Sequence, residues 1–170
     1  MKAIDDLLAD WMVDAERLVI VGIGNPMRRD DGVGVHIAKR LKSTITADNI
    51  LVLVSESVPE SYLQPIIDFK PSHILLIDAA SLGQEPGQVH FIPMSETQDI
   101  AVSTHSLPLH LVCNYLQRMT GAKTGLLLIQ PEAVDFGEGL SPAVERAAMR
   151  VIAALKRLVP RGGHSVFPRE

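Results

Sequence analysis

The sequence predicts an α/β fold: a single-domain, three-layer sandwich in which helices cover both faces of a twisted, mostly parallel, five-stranded sheet. Short runs of aliphatic residues alternate along the chain with segments whose apolar residues recur at helical spacing, which is typical of strands joined by crossover helices. All but one of the apolar runs lack polar alternation, as expected for strands buried on both faces. The length of 170 residues fits one domain, and an aromatic content of 4% means that its core is aliphatic.

The predicted elements follow one another with short connections. The predicted strands are residues 18–21, 50–54, 74–77, 88–92 and 126–129. Residues 88–92 alternate polar and apolar side chains, which predicts an antiparallel strand at a sheet edge. The predicted helices are residues 4–11, 31–41, 61–69, 108–119 and 141–158. We therefore place the domain at 18–159, between an N-terminal helical extension (1–17) and a loose C-terminal tail (160–170).

Composition excludes several classes of function. The net charge is −4 and no basic cluster is present, so a nucleic-acid partner is not expected. Cys113 is the single cysteine, which rules out a disulfide within the chain, and its apolar helical neighbours indicate an inert core thiol. The N-terminus does not resemble a signal peptide and no apolar run approaches the roughly 20 residues of a membrane span. A soluble, cytoplasmic monomer is the expectation.

The loop after the first strand carries two glycines and two acids. Gly22-x-Gly24 suggests a dinucleotide-binding turn, but the G-x-G-x-x-G pattern needs glycine where this chain has Met27. Asp30 and Asp31 would also repel a pyrophosphate at the start of the next helix. Two explanations remain for the acidic pair: capping of that helix, or binding of a cation above the loop.

Two further residues favour the cation. Asp78 ends the third strand, and His105 precedes the helix that follows the fourth. Each has an ordinary explanation alone, as a turn residue or a loop histidine. Because the carboxyl ends of parallel strands share one edge, Asp31, Asp78 and His105 can meet there. Two carboxylates and an imidazole suit Zn²⁺, Ni²⁺ or Fe²⁺, which indicates a metal-assisted hydrolase.

Five segments, in order and in register over residues 18–158, carry a family resemblance. They are GIGNPM with DDGVG (22–27, 30–34), SVPE (57–60), IDAA with Gly83 and PG (77–80, 86–87), THSLPL (104–109) and IQP (129–131). In this series the chain resembles the hydrogenase maturation proteases. The subgroup it resembles processes large subunits of formate-hydrogenlyase-type and related energy-converting hydrogenases. Glu56 stands where that family usually has a small residue.

The resemblance implies an endopeptidase that removes the C-terminal extension from the precursor of a [NiFe] hydrogenase large subunit after nickel insertion. It implies that Asp31, Asp78 and His105 are the catalytic and metal-engaging residues, and that Asp30 caps the helix or tunes the charge of Asp31. The nickel would arrive with the substrate, so the isolated site would be empty or hold another divalent cation. Its partner would be that precursor, with no nucleic acid and no membrane.

Two other functions use the same three residues: a non-catalytic nickel-sensing maturation chaperone and a metal-dependent amidohydrolase of small substrates. The remaining histidines have no partners at metal-ligand spacing. His36 is interpreted as a surface or interface residue one helical turn beyond Asp31, and surface positions are expected for the others: His73, His90, His110 and His164.

Overall fold

The computed structural model describes residues 2–56, 60–94 and 109–160. The strands within these ranges are β1 (Leu18–Ile23), β2 (Ile50–Ser55), β3 (His73–Ala79), β4 (Val89–Met94) and β5 (Lys123–Ile129). The helices are α1 (Ile4–Met12), α2 (Val33–Thr44), α3 (Glu60–Phe69), α4 (Leu109–Thr120) and α5 (Pro142–Leu158). The predicted α/β class and five-stranded sheet are confirmed. No helix in the described ranges is both long and apolar enough to cross a membrane.

The sheet has the strand order β2-β1-β3-β5-β4. All neighbours are parallel except β4, which pairs antiparallel with β5 and so confirms the predicted edge strand. From β1 the chain crosses to β2 on one side and then returns to β3 on the other side of β1. The boundary between β1 and β3 is therefore a topological switch point, where open parallel sheets form their crevices.

Side chains of the central strands alternate between two buried clusters, one on each face of the sheet. On one face Ile20, Leu75 and Leu127 pack with α1, α2 and α5. On the opposite face Val21, Leu76 and Leu128 pack with α3 and α4. This arrangement is the predicted three-layer sandwich.

Helix α1, which lies in the predicted N-terminal extension, contributes Leu8 and Met12 to the first cluster. Its Trp11 lies edge-on to His73, with ring centroids 4.9 Å apart. His73 is buried, and Nε2 of its ring lies 3.0 Å from the carbonyl oxygen of Trp11. The predicted surface position of His73 is therefore wrong. A histidine that follows Ser72 and begins a strand shows no sequence signal of the helix that covers it.

The second predicted helix begins later than expected. A 3₁₀ turn covers Arg29–Gly32, and α2 starts at Val33 rather than near Asp31. Helix α2 then packs directly on the backbone of the sheet. A β-carbon added to Gly22 would lie 2.0 Å from the carbonyl oxygen of Gly34, and one added to Gly34 would lie 2.2 Å from that of Ile77. The first glycine of the Gly22-x-Gly24 motif thus serves this close helix–sheet contact.

We expect Gly22→Ala to destabilise the fold by about 3 kcal/mol, because the methyl group has no room between β1 and α2. Urea unfolding would measure the change. Gly121→Ala is the matched control: its added methyl group meets nothing within 4 Å, and only its positive φ of 71° opposes alanine, at about 1–2 kcal/mol. Equal losses in the two variants would contradict the packing explanation.

Candidate active site

Three neighbouring parallel strands, β1, β3 and β5, place side chains at or just beyond their carboxyl ends, on the same side of the molecule. Asp31 follows β1, Asp78 lies near the end of β3, and Gln130 follows β5. In the parallel register Gly22 pairs with Ile77, and Ala79 pairs with Ile129. Asp31, in the turn after β1, and Asp78, in β3, therefore lie at the switch point between two adjacent strands.

Asp78 is almost completely buried, with 3% of its surface exposed. Its Oδ1 accepts a hydrogen bond of 2.8 Å from the backbone N–H of Ala79. Burial raises the pKa of Asp78 well above its ordinary value, and the nearby negative charge of Asp31 raises it further. The Ala79 hydrogen bond opposes this shift without cancelling it. Asp78 is thus a carboxyl group that is costly to ionise in the unliganded protein.

Asp31 is partly buried and lies in the 3₁₀ turn. Its Oδ2 accepts a hydrogen bond of 3.2 Å from the backbone N–H of Asn25, and the Asn25 side chain accepts one of 3.0 Å from Met27 N–H. Gly24 has a φ of 147°, and a β-carbon there would lie 1.9 Å from the Asp31 carbonyl oxygen. The loop sequence Gly-Asn-Pro therefore brings the chain close enough to hold the Asp31 carboxylate.

A pocket of about 210 Å³ opens beside Asp31. Residues at and after the ends of β1, β3 and β5 form its wall. The described residues of this wall include two acids, Asp31 and Glu132, and no Lys or Arg. The complete lining is Asp31, Ala79, Ala80, Ser81, Gln130, Pro131, Glu132 and Val134. Fixed negative charge without a resident counter-charge favours a cation at this position.

Gln130 is a further site residue, for which the sequence predicts no role. Its side-chain oxygen accepts hydrogen bonds from the backbone N–H groups of Leu82 (2.7 Å) and Gln84 (3.3 Å), and its amide nitrogen donates to the carbonyl of Pro131. Gln130 therefore ties the loop after β3 to the loop after β5 across the pocket. Its position directly after a buried strand was the available signal, together with the acid two residues beyond it.

Asp30 plays a different part from its neighbour. It is fully buried and accepts four hydrogen bonds of 2.7–3.0 Å, from the N–H groups of Glu132, Ala133 and Ser141 and from the Ser141 hydroxyl. Burial pushes its pKa up, but these donors outweigh burial and the pKa of Asp30 is lowered. Asp30 thus anchors the loop before α5 to the loop after β1. The expectation that it caps the following helix is wrong, and the alternative expectation, that it tunes the charge of Asp31, stays a prediction.

His105 and His36 are the remaining histidines considered for the site. His105 falls outside the described residues. His36 lines a second pocket of about 280 Å³ with Arg29 and Glu145, and does not line the pocket beside Asp31. Burial, and then the charge of Arg40, lowers the pKa of His36. Over residues 2–56, 60–94 and 109–160, no three His, Cys, Asp or Glu side chains are grouped so as to hold a metal ion.

Two further expectations concern Cys113 and Glu56. Cys113 is buried, and burial raises the pKa of its thiol to about 12, which confirms an inert core cysteine. The exposed side chain of Glu56 forms an ion pair of 3.0 Å with Lys39. An exposed pair of this kind contributes little to stability.

Fold and site together define an α/β protein with a pocket lined by Asp31 and Glu132, and with the buried carboxyl group of Asp78 near Asp31, at the switch point of a parallel sheet. Residues 35–157 match the HycI hydrogenase maturation protease family. The chain belongs to the hydrogenase maturation protease family and is accordingly a hydrolase of the peptidase class.

Curated relatives and solved structures agree with this assignment. A candidate hydrogenase maturation protease of Methanocaldococcus jannaschii is 34% identical over 138 residues, covering 77% of this chain and 82% of the relative. The hydrogenase 3 maturation protease of Escherichia coli K12 is 27% identical over 146 residues, covering 85% and 92%. The crystal structure of the [NiFe] hydrogenase maturation protease HycI from Thermococcus kodakarensis superimposes with a TM-score of 0.82 at 35% identity, covering 90% of this chain and 98% of that one.

Proposed function

We propose that this chain removes the C-terminal extension from the precursor of a [NiFe] hydrogenase large subunit, and that Asp31, Asp78 and His105 engage the nickel ion that the precursor carries. The observation that supports this proposal best is the pair of carboxyl groups at the switch point. Asp78 is buried, and the charge of Asp31, which lines the pocket, helps to raise the pKa of Asp78. A divalent cation brought to this edge would relieve that repulsion.

The chemistry of the ligands supports a metal that arrives with the substrate. Nickel in the precursor is held by soft thiolates, whereas Asp31 and Asp78 are hard oxygen ligands that can complete an ion already anchored elsewhere. Cleavage would then depend on correct metal loading. His105 lies four residues before Leu109, which packs in the same buried cluster as Leu76 and Ala80. Its role as the third ligand is part of the proposal.

Hydrolysis adds one water molecule across a peptide bond and yields a carboxylate and an amine. A cation beside the pocket can polarise the scissile carbonyl or lower the pKa of a bound water. Asp31 or Asp78 can accept the proton of that water as a general base, and a raised pKa brings Asp78 closer to the pH at which a base is efficient. Each role uses a carboxyl group of the described site.

The proposal is tested by incubating the purified chain with large-subunit precursor that carries nickel and, separately, with precursor that lacks it. We expect the chain to produce a shortened large subunit and a released C-terminal peptide, both detected by mass spectrometry. These products should form from the nickel-loaded precursor and not from the precursor that lacks nickel. Binding of the precursor without any cleavage would favour the non-catalytic nickel-sensing chaperone. Cleavage of small amides without a protein partner would favour the amidohydrolase.

We expect Asp31→Asn to slow cleavage of the nickel-loaded precursor by at least about 100-fold, because it replaces a carboxyl ligand and candidate base with an amide of the same shape. Asp48→Asn is the matched control. Asp48 is exposed and precedes β2, so it lies at the amino ends of the parallel strands, whereas Asp31 lies at their carboxyl ends. A cleavage rate for Asp31→Asn equal to that of the control would contradict the site assignment.

A further inference from the structure

Two loops at the sheet edge are joined into one unit, which we call the platform: residues 25–32 and residues 130–141. Backbone hydrogen bonds connect Arg29 N–H to Gly137 O (2.9 Å), Gly137 N–H to Met27 O (2.8 Å) and Asp30 N–H to Ala133 O (3.0 Å). The four hydrogen bonds to the buried Asp30 carboxylate add to these. The platform is therefore held by backbone and buried contacts rather than by its surface side chains.

The platform presents two large apolar side chains to solvent. Phe136 is 78% exposed and Met27 is 44% exposed. A parallel β-bridge pairs Arg28 with Gly137. Met27 precedes Arg28 and Phe136 precedes Gly137, so these two residues occupy neighbouring positions on the two loops. We call these two side chains the ledge. These exposed side chains form an apolar surface that is left uncovered by residues 2–56, 60–94 and 109–160.

Backbone strain marks the same place. Arg29 has a φ of 45°, in the left-handed region that non-glycine residues rarely adopt. It is kept there by its N–H bond to Gly137 and by a contact of 3.2 Å between its Nε and Asp135. Strain of this kind persists where the surroundings determine the backbone, and it clusters at functional surfaces.

The platform that carries the ledge also forms part of the wall of the candidate active site. Asp31, Pro131, Glu132 and Val134 line the pocket, and all four belong to the platform. That pocket has a volume of only about 210 Å³. It can admit a metal ion and a short stretch of peptide, but it cannot grip a folded protein substrate. Recognition of such a substrate needs a surface next to the pocket.

We propose that Met27 and Phe136 dock the substrate protein, by packing against apolar side chains that border its metal site. This inference rests on the proposed function, because it takes the metal-loaded precursor as the occupant. Since the platform is already ordered, binding loses little conformational freedom on this side, and an aromatic side chain on a rigid support is a common binding hot spot. The ledge contributes affinity, whereas Asp31 and Asp78 contribute the chemistry.

The test separates binding from cleavage. Affinity for immobilised nickel-loaded precursor is measured by surface plasmon resonance, and cleavage is measured as a single-turnover rate at saturating enzyme. We expect Phe136→Ala and Met27→Ala each to raise Kd about tenfold while leaving the saturated cleavage rate within about twofold of the wild-type rate. Phe136→Leu should recover most of the affinity. Because both side chains are exposed, the variants should keep the wild-type circular dichroism spectrum and unfolding midpoint.

Met149→Ala is the matched control, since Met149 is 61% exposed on α5, outside the platform. A Kd for Phe136→Ala equal to that of the control would overturn the ledge while leaving the proposed function intact. Binding without cleavage by the wild-type chain would contradict the proposed peptidase function. The Kd values of the ledge variants, compared with the wild-type Kd, would still test the docking role of the ledge. Failure of the wild-type chain to bind the precursor would overturn both.

Discussion

Asp78→Asn is expected to abolish processing and, at the same time, to make the protein more stable at neutral pH. Processing should fall by at least about 100-fold, because a carboxylate ligand and candidate base is lost. Stability should rise because asparagine keeps an oxygen for the Ala79 N–H but removes a carboxyl group that is costly to ionise when buried beside Asp31. Active sites commonly carry this kind of stability cost.

The pH dependence of this gain has a definite sign. The folded-state pKa of Asp78 lies above the unfolded-state value of about 3.9, so the wild-type protein loses stability as pH rises from the unfolded pKa through the folded one. The advantage of Asp78→Asn should therefore be absent in acid and grow toward neutral pH. Urea unfolding without added metal, across this range and with Asp48→Asn as control, measures it. A variant less stable than the wild type at pH 8 would refute the explanation.

Asp30→Ala should be among the most destabilising single changes at this edge of the sheet, with an expected loss of about 3–5 kcal/mol. The substitution removes the buried acceptor of the N–H groups of Glu132, Ala133 and Ser141 and leaves these hydrogen bonds unformed. The platform would lose its central contact, so binding and cleavage of the precursor should both weaken. Thermal and urea unfolding measure the first effect.

The control for Asp30→Ala is Asp135→Ala, which removes an exposed ion pair with Arg29 on the same platform and should cost no more than about 1 kcal/mol. The pH dependence is opposite to that of Asp78. Because the folded-state pKa of Asp30 is lowered, its contribution is present above the unfolded-state value of about 3.9 and is lost as pH falls through the folded pKa. The difference between wild type and Asp30→Ala should shrink in acid. Equal stability of the two alanine variants would show that the buried contacts are not needed.

Much of the fold could be predicted because each element carries its own local pattern. The short continuous apolar runs of β1 and β3 are typical of strands buried on both faces, and the alternation in 88–92 indicates an edge strand, as observed. Asp31 and Asp78 could be placed together because they follow strands of one parallel sheet. The order of those strands, which makes β1 and β3 neighbours, required the structure.

The missed features depend on contacts between distant parts of the chain. Asp30 and Asp31 are adjacent and chemically identical, so no local pattern shows that one accepts hydrogen bonds from a loop about 100 residues away while the other faces a pocket. The burial of His73 depends on α1, and the bridging role of Gln130 depends on backbone groups of another loop. Partners this far apart in the sequence can be identified only from the three-dimensional structure.

The platform also has a consequence for engineering. Residues 25–32 and 130–141 are far apart in sequence, yet each supplies donors or acceptors that the other satisfies. The two loops therefore form one exchangeable module. A chimera between relatives that aims to change which precursor is chosen has to transplant both loops together, with the Asp30–Ser141 contact intact, since a single transplanted loop would meet a partner built for a different one.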